Sequence, residues 1–370
     1  MTPTALKKWH WIHKWTSLVC TIFALLLCLT GLPLIFTHEI DEALGRGFTP
    51  PAHVDEPPGP PRIDDIVADA RQRRPGESVL FLSQSDDEKD LYYISLGEKP
   101  DALEAKAVYA YDGRTAQWLG AFPLNEGFMS VVLRLHVDMF AGLPGSLFLG
   151  GMGVLLVLSI VSGVVLYGPY MRKLLFGVIR WKSLRLFWLD IHNLIGILTL
   201  GWFTLVSVTG IVNTLSTPIF GQWQATHLAE MLAPYESGKD DRPVVQEPGA
   251  QRALESALAR VPSSELGFMA FPGNRLSGPR QYVAFLRGNT PLRQKLMTPV
   301  LVDAKEGRVL DQRALPVYVT ALLVSQPLHF GDYGSLPLKI IWAVLDLLSI
   351  VLLGSGVYLW LVKRKAASPA

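Results

Sequence analysis

The chain has 370 residues, of which 49% are hydrophobic and 18% charged, with a formal net charge of +2. Together with a positive mean hydropathy, that balance excludes an ordinary soluble globular chain and points to a protein of the lipid bilayer. With a net charge so near zero, no nucleic-acid partner is expected.

Taken in chain order, residues 1–37 hold a basic N-terminus and a first membrane helix, WTSLVCTIFALLLCLTGLPLIF at 15–36. A bilayer core takes about 20 apolar residues to cross. The run is too long for a cleavable leader and no A-x-A-like site follows, so it reads as an uncleaved anchor. Cys20 and Cys28 both fall inside it, which removes them as a disulfide for an outer domain.

Residues 38–138 read as a first outer α+β module. A Pro-rich linker, PPAHVDEPPGPP, precedes an amphipathic helix, IDDIVADARQRR, and the β-like runs SVLFLSQ, LYYISL and AVYAYDG. A second membrane helix occupies 139–170, a short loop 171–190, and a third helix 191–216. Residues 217–338 repeat the outer order, with ALESALARV as helix and QYVAFLR and MTPVLVDAKEGRVL as strands. A fourth membrane helix at 339–362 carries Asp346, and 363–370 form a tail. An acid at membrane depth is a functional candidate by default. Asp346 is read as orienting a ligand, relaying a proton, pairing with a base or lying near the interface, and the spacing does not choose.

Basic residues gather at Lys7, Lys8, Lys14, Arg172, Lys173, Arg180, Lys182, Arg185, Lys363, Arg364 and Lys365. By the positive-inside rule, both termini and the short loop face the cytoplasm and the two long segments lie outside. The first long segment carries a charge of −9 and the second, counted through Lys339, +2. Neither contains a Ser/His/Asp set, a Cys/His zinc spacing or a Gly-rich phosphate loop, so no catalytic side chain is expected.

The histidines carry the most information. RLHVDMFAGLP (134–144) and PLHFGDYGSLP (327–337) each place a His before a Leu-Pro and an apolar run. The offset that carries His136 onto His329 also carries Gly163 onto Gly356 and Tyr167 onto Trp360. The offset that carries His13 onto His192 carries Thr30-Gly31 onto Thr209-Gly210. The expected fold is therefore an integral membrane α-helical bundle of four helices, internally duplicated 2+2, with two outer α+β modules.

Under that duplication His13 faces His192 at the cytoplasmic ends of spans one and three. His136 faces His329 at the outer ends of spans two and four. Paired imidazoles at one depth in a bundle are what a bis-His b-type haem needs, so two haems per chain are expected, one near each surface. Gly150, Gly151, Gly153, Ser159, Ser162, Gly163, Gly196, Gly201 and Gly210 would leave room for the macrocycles. His38 lacks a repeat partner and is a reserve outer ligand or a donor to one. His10, His53 and His227 are not expected to bind iron.

The start LKKWHWIHKWTSLVC, the LHVDMFAGLPG element and PLHFGDYGSLPLKIIWAVLDLLSIVLLGSGVYLWL resemble the PepSY-associated transmembrane family over essentially the whole chain. YDGRTAQWLG and VDAKEGRVL are similar to the ends of PepSY-type modules. Within the family the chain looks closest to FoxB-type inner-membrane siderophore reductases of Gram-negative bacteria. That resemblance implies PepSY-like periplasmic modules, two haems b held by His13, His192, His136 and His329, and one-electron reduction of a periplasmic ferric siderophore. Hard oxygen ligands such as hydroxamates hold Fe(III) far better than Fe(II), so the electron releases the metal. The cytoplasmic electron donor and the siderophore are not specified by any motif. Two other readings stay open. One is a haem-free regulator or inhibitor of periplasmic peptidases, and the other a haem subunit passing electrons to a partner protein.

Overall fold

The computed structural model describes residues 1–52, 59–124, 126–171, 175–235, 249–290, 293–333 and 335–367. In chain order its helices begin with α1 (Pro3–Ile35), α2 (Thr37–Ala43), α3 (Ile63–Arg73) and α4 (Phe128–Val137). Next come α5 (Gly142–Met171), α6 (Leu184–Leu198), α7 (Leu200–Thr214) and α8 (Ser216–Trp223). The last are α9 (Ala229–Leu232), α10 (Ala250–Arg260), α11 (Val317–Phe330) and α12 (Ser335–Ala367). The chain divides into a helical unit (1–37, 128–217, 325–370) and a sheet unit (38–127, 218–324).

In the helical unit α1, α5 and α12 are each long and apolar enough to cross a membrane. The third apolar run differs from the single helix that its sequence suggests. It is split into α6 and α7, bent by 65°, and counts as a fourth span only if the bent pair is one span. The break falls at Thr199, fully buried, whose Oγ1 donates to the Ile195 carbonyl at 2.9 Å. A hydroxyl bonded back onto its own helix competes with the ladder and bends it.

His136 and His329 do not stand on the spans that follow them in sequence. Each lies near the end of a short apolar helix, α4 or α11. After α4 the chain turns through left-handed residues at Met139 (φ 51°), Phe140 (φ 63°) and Gly142 (φ 61°). Asp138 Oδ1 holds that turn by accepting from Phe140 N at 2.8 Å, the local side-chain bond that favours Asp in turns. After α11 the turn is made at Gly331 (φ 76°), whose N–H donates to the Pro327 carbonyl. In both places the separate helix places the histidine in the helical unit rather than in an outer module.

Near the start of α6, Asp190 is buried and takes three hydrogen bonds from Arg180, at 2.8 Å from its backbone N, 3.0 Å from Nε and 2.8 Å from Nη2. Tyr170, at the end of α5, donates its hydroxyl to the same carboxylate. Arg172 and Lys173 of this loop lie outside the described residues.

The sheet unit is built on β1 (Ser78–Gln84), β2 (Leu91–Gly97), β3 (Ala107–Asp112), β4 (Trp118–Phe122), β5 (Ser264–Ala270), β6 (Gln281–Gly288), β7 (Met297–Asp303) and β8 (Val309–Gln312). Among the described residues these form a single antiparallel sheet in the order β4-β3-β2-β1-β5-β6-β7-β8. The two outer segments, read separately in the sequence, meet where β1 pairs with β5 (Phe81 with Ala270, Leu82 with Met269). The two helices α3 and α10 lie on one face, tied by Ile63 N–H to Gln251 Oε1 at 2.9 Å and Gln251 N–H to Asp64 Oδ1 at 3.0 Å. On the other face, Trp223, Met231, Leu232 and Val319 pack on Phe285 and Leu301. The strand–turn–strand devices match closely: Asp112 Oδ1 accepts from Arg114 N and Asp303 Oδ1 from Lys305 N. Ala116 takes the left-handed position (φ 60°) that Gly307 (φ 67°) occupies in the second.

Candidate functional site

Four imidazoles are set in the helical unit by the same local chemistry. His13 of α1 donates Nδ1–H to the Ser159 carbonyl of α5 at 2.9 Å, with Ser162 Oγ at 3.2 Å. His192 of α6 donates to the Leu352 carbonyl of α12 at 3.2 Å, with Ser355 Oγ at 2.9 Å. His136 of α4 meets Thr30 Oγ1 of α1 at 2.9 Å and the Leu27 carbonyl. His329 of α11 donates to the Val206 carbonyl of α7 at 2.9 Å, with Thr209 Oγ1 at 3.2 Å.

The hydroxyls leave no freedom in the tautomer. Ser162 donates its proton to the Ser159 carbonyl, Ser355 to Leu352, Thr30 to Leu26 and Thr209 to Leu205. A hydroxyl that has given its proton to a helix carbonyl can only accept from an imidazole. All four rings therefore carry the proton on Nδ1 and keep the Nε2 lone pair free, the arrangement that second-sphere bonding imposes on metal-bound histidine.

The rings meet in two pairs. His13 and His192 have centroids 6.4 Å apart and planes crossed at 72°. His136 and His329 are 6.3 Å apart and crossed at 62°. Two imidazoles bound trans to one metal through Nε2, with metal–nitrogen bonds of about 2.0 Å, have centroids about 6.3 Å apart. The centroid separation of each pair matches that of two imidazoles sharing one ion. Among the described residues, no group of three or more His, Cys, Asp or Glu side chains gathers into a metal site. Along the continuous α1, the rise from His13 to Gly31, beside His136, is about 27 Å at 1.5 Å per residue.

Each ring also lies against a glycine of the helix that bonds it. A methyl placed on Gly163 would fall 3.1 Å from His13 Cε1, on Gly356 3.4 Å from His192, on Gly31 3.3 Å from His136 and on Gly210 3.1 Å from His329. Gly150 and Gly153 instead close the contact of α5 with Thr214 and Ile211 of α7, Gly196 lies near Leu352, and Gly151 and Gly201 face open space.

Residues 10–363 match the family described as the PepSY-associated TM region. The chain belongs to the PepSY-associated TM family. It is 28% identical to an uncharacterized protein of Pseudomonas aeruginosa over 270 residues, 65% of this chain and 65% of that protein.

The remaining histidines of this PepSY-associated TM protein join neither pair. His38 is exposed on α2. His10 Nε2 lies 3.4 Å from Lys363 Nζ, and His227 sits between Thr226 and Tyr318. His53 lies outside the described residues. Sequence reading did not single out Thr30, Thr209 and Ser355 as imidazole partners. The signal was there in the offsets already in hand, which carry Thr30 onto Thr209 and Ser162 onto Ser355.

Proposed function

We propose that this protein is a transmembrane di-haem b electron-transfer protein of the bacterial inner membrane that reduces a ferric siderophore outside the cytoplasm and so releases Fe(II) for uptake. The observation that carries the reading is the pair of imidazole pairs, each spaced for one iron with every Nδ1 proton committed. His13 and His192 would hold the cytoplasmic-side haem, His136 and His329 the periplasmic-side haem. The glycines beside all four rings fit a group held close to the imidazoles. When bound, such a group supplies reversible one-electron chemistry at iron.

The correspondence of contacts supports a 2+2 duplication. The offset that carries His13 onto His192 carries Leu27, Thr30 and Gly31, which hold His136, onto Val206, Thr209 and Gly210, which hold His329. Orientation by basic residues places both termini in the cytoplasm. The hydrocarbon core is about 30 Å thick, so one redox centre cannot serve both surfaces, while one near each forms a relay. The electron would enter at the first pair from a quinol or reduced flavin and leave at the second to ferric iron in a hard-oxygen ligand such as a hydroxamate. A haem-free regulator has no use for four imidazoles held in one tautomer.

The deciding experiment is the visible spectrum of the detergent-purified protein, oxidised and dithionite-reduced, with haem counted per chain. Two low-spin b haems per chain are expected; none, in protein made with ample haem supply, would remove the proposal. The ring planes add a second expectation. If each pair bound one iron with its rings in these planes, crossed at 72° and 62°, a ferric EPR signal dominated by one large g value would be expected, where parallel rings would give three resolved g values. Gly163→Ala is expected to lower haem retention at the His13–His192 site alone, and Gly210→Ala at the His136–His329 site alone.

A further inference from the structure

Asp346 of α12 is 5% exposed. Cys28 of α1 hydrogen-bonds its carboxyl, and no basic side chain acts on it among the described residues. Its Oδ2 has no hydrogen-bond partner among them. Asp190, the other acid buried in this unit, takes bonds from Arg180 and Tyr170 and is satisfied. An acid at membrane depth is expensive and persists where it has a use.

Packing does not require this one. The histidine offsets carry Cys28 onto Ser207 and Gly153 onto Asp346. In the other half of the unit that place is closed by Gly153 packed on Ile211, with the Ser207 carbonyl 3.9 Å from where a Cβ would lie. The same helix contact is thus made once with no side chain at all and once with a carboxyl. Cys28 lies less than a turn of α1 before Thr30 and Gly31, which hold His136, while along α12 Asp346 lies six residues, about 9 Å of rise, from Leu352, which holds His192. Of the elements packed on α12, α1 presents Cys28 to Asp346 and α6 carries Asp190 and His192, while His136 on α4 and His329 on α11 form the second pair. From α7 the same layer presents Trp202, Phe203 and Val206, which do not titrate. Trp202 lies edge-on to Trp342, and neither indole N–H has a partner among the described residues.

We propose that Asp346 is a proton-binding group coupled to the second pair. With a haem iron held by His136 and His329, Asp346 would take up one proton from water for each electron that the quinol or reduced flavin supplies to that site. It releases that proton when the electron passes to the ferric acceptor, so charge near the second pair is balanced at each step. A negative charge added in a low-dielectric interior is felt most by a nearby acid with no fixed counter-charge, and it favours that acid's protonated form. This inference rests on the di-haem reading above.

The test is a redox titration of the full-length protein in detergent, followed in the visible spectrum across the neutral pH range, for the wild type, D346N and D346E. In the wild type, the midpoint potential assigned to the His136–His329 site should fall with rising pH, by up to about 59 mV per pH unit for full coupling of one proton to one electron. D346N should retain both haems and lose the slope, D346E should restore it, and the first site should stay flat in all three. A redox-difference infrared spectrum should show a carboxylic C=O band gained on reduction in the wild type and missing in D346N. Two haems with the same slope in the wild type and D346N, or no slope in either, overturn the coupling and leave the di-haem reading standing. Absence of haem overturns both.

Discussion

His329→Ala is expected to leave one haem per chain and to bring electron transfer to an external ferric siderophore down to background. On the di-haem proposal the ring removed is one of the two that would hold the second haem, and its partner His136 would be left to hold the group alone. The His13–His192 pair does not share its contacts, since its rings are held by Ser159, Ser162, Leu352 and Ser355 on α5 and α12. The first haem should therefore remain and still be reduced by dithionite. His192→Ala should give the reverse, an intact second haem that no cytoplasmic donor can reach. Added imidazole should restore part of the signal in either variant by filling the space left by the ring. His10→Ala and His227→Ala, outside both pairs, should change neither haem content nor rate. Haem per chain and siderophore reduction in proteoliposomes with an enclosed reductant decide the matter. Wild-type rates in both His329→Ala and His192→Ala would remove the relay.

Much of this molecule is visible in its sequence because membrane helices and bound imidazoles leave local marks. A span must be a long apolar run since lipid offers its backbone no partner, and residues 15–36 and 340–362 could hardly be anything else. The histidine offsets are visible because identical side chains at one register repeat a whole hydrogen-bonding environment. What is not visible depends on distant pairing or on one buried bond. The single sheet arises from β1 meeting β5 across most of the outer sequence, and nothing in SVLFLSQ or SELGFMA names the other. The bend in the third apolar run falls at one buried hydroxyl, Thr199, in a stretch whose composition suits an unbroken helix. The turn after α4 is equally quiet, since Met139 and Phe140 give no warning that they adopt left-handed backbone. The orphan carboxyl oxygen of Asp346 shows only once its neighbours are placed.

Asp190→Ala is expected to destabilise the helical unit by about 1.5–3 kcal/mol, the range for losing hydrogen bonds to a charged group whose partner still reaches water. The side chain is 2% exposed against 29% for Arg180, so its charge is paired inside the protein rather than screened by water. Removing it strands more than Arg180. The backbone N–H of Arg180 and the hydroxyl of Tyr170, both half-buried, lose their acceptor together. These contacts tie the end of α5 to the start of α6, one turn of which carries His192. The damage should therefore reach the first pair before the second. In a detergent melt, Asp190→Ala should unfold well below the wild type and lose the His13–His192 haem first, while Asp190→Asn, which keeps an acceptor for Tyr170 and Arg180, should fall in between. Equal loss of both haems would mean that the carboxylate supports the unit as a whole. A melt unchanged from the wild type would mean that the pair is compensated by groups beyond Arg180 and Tyr170.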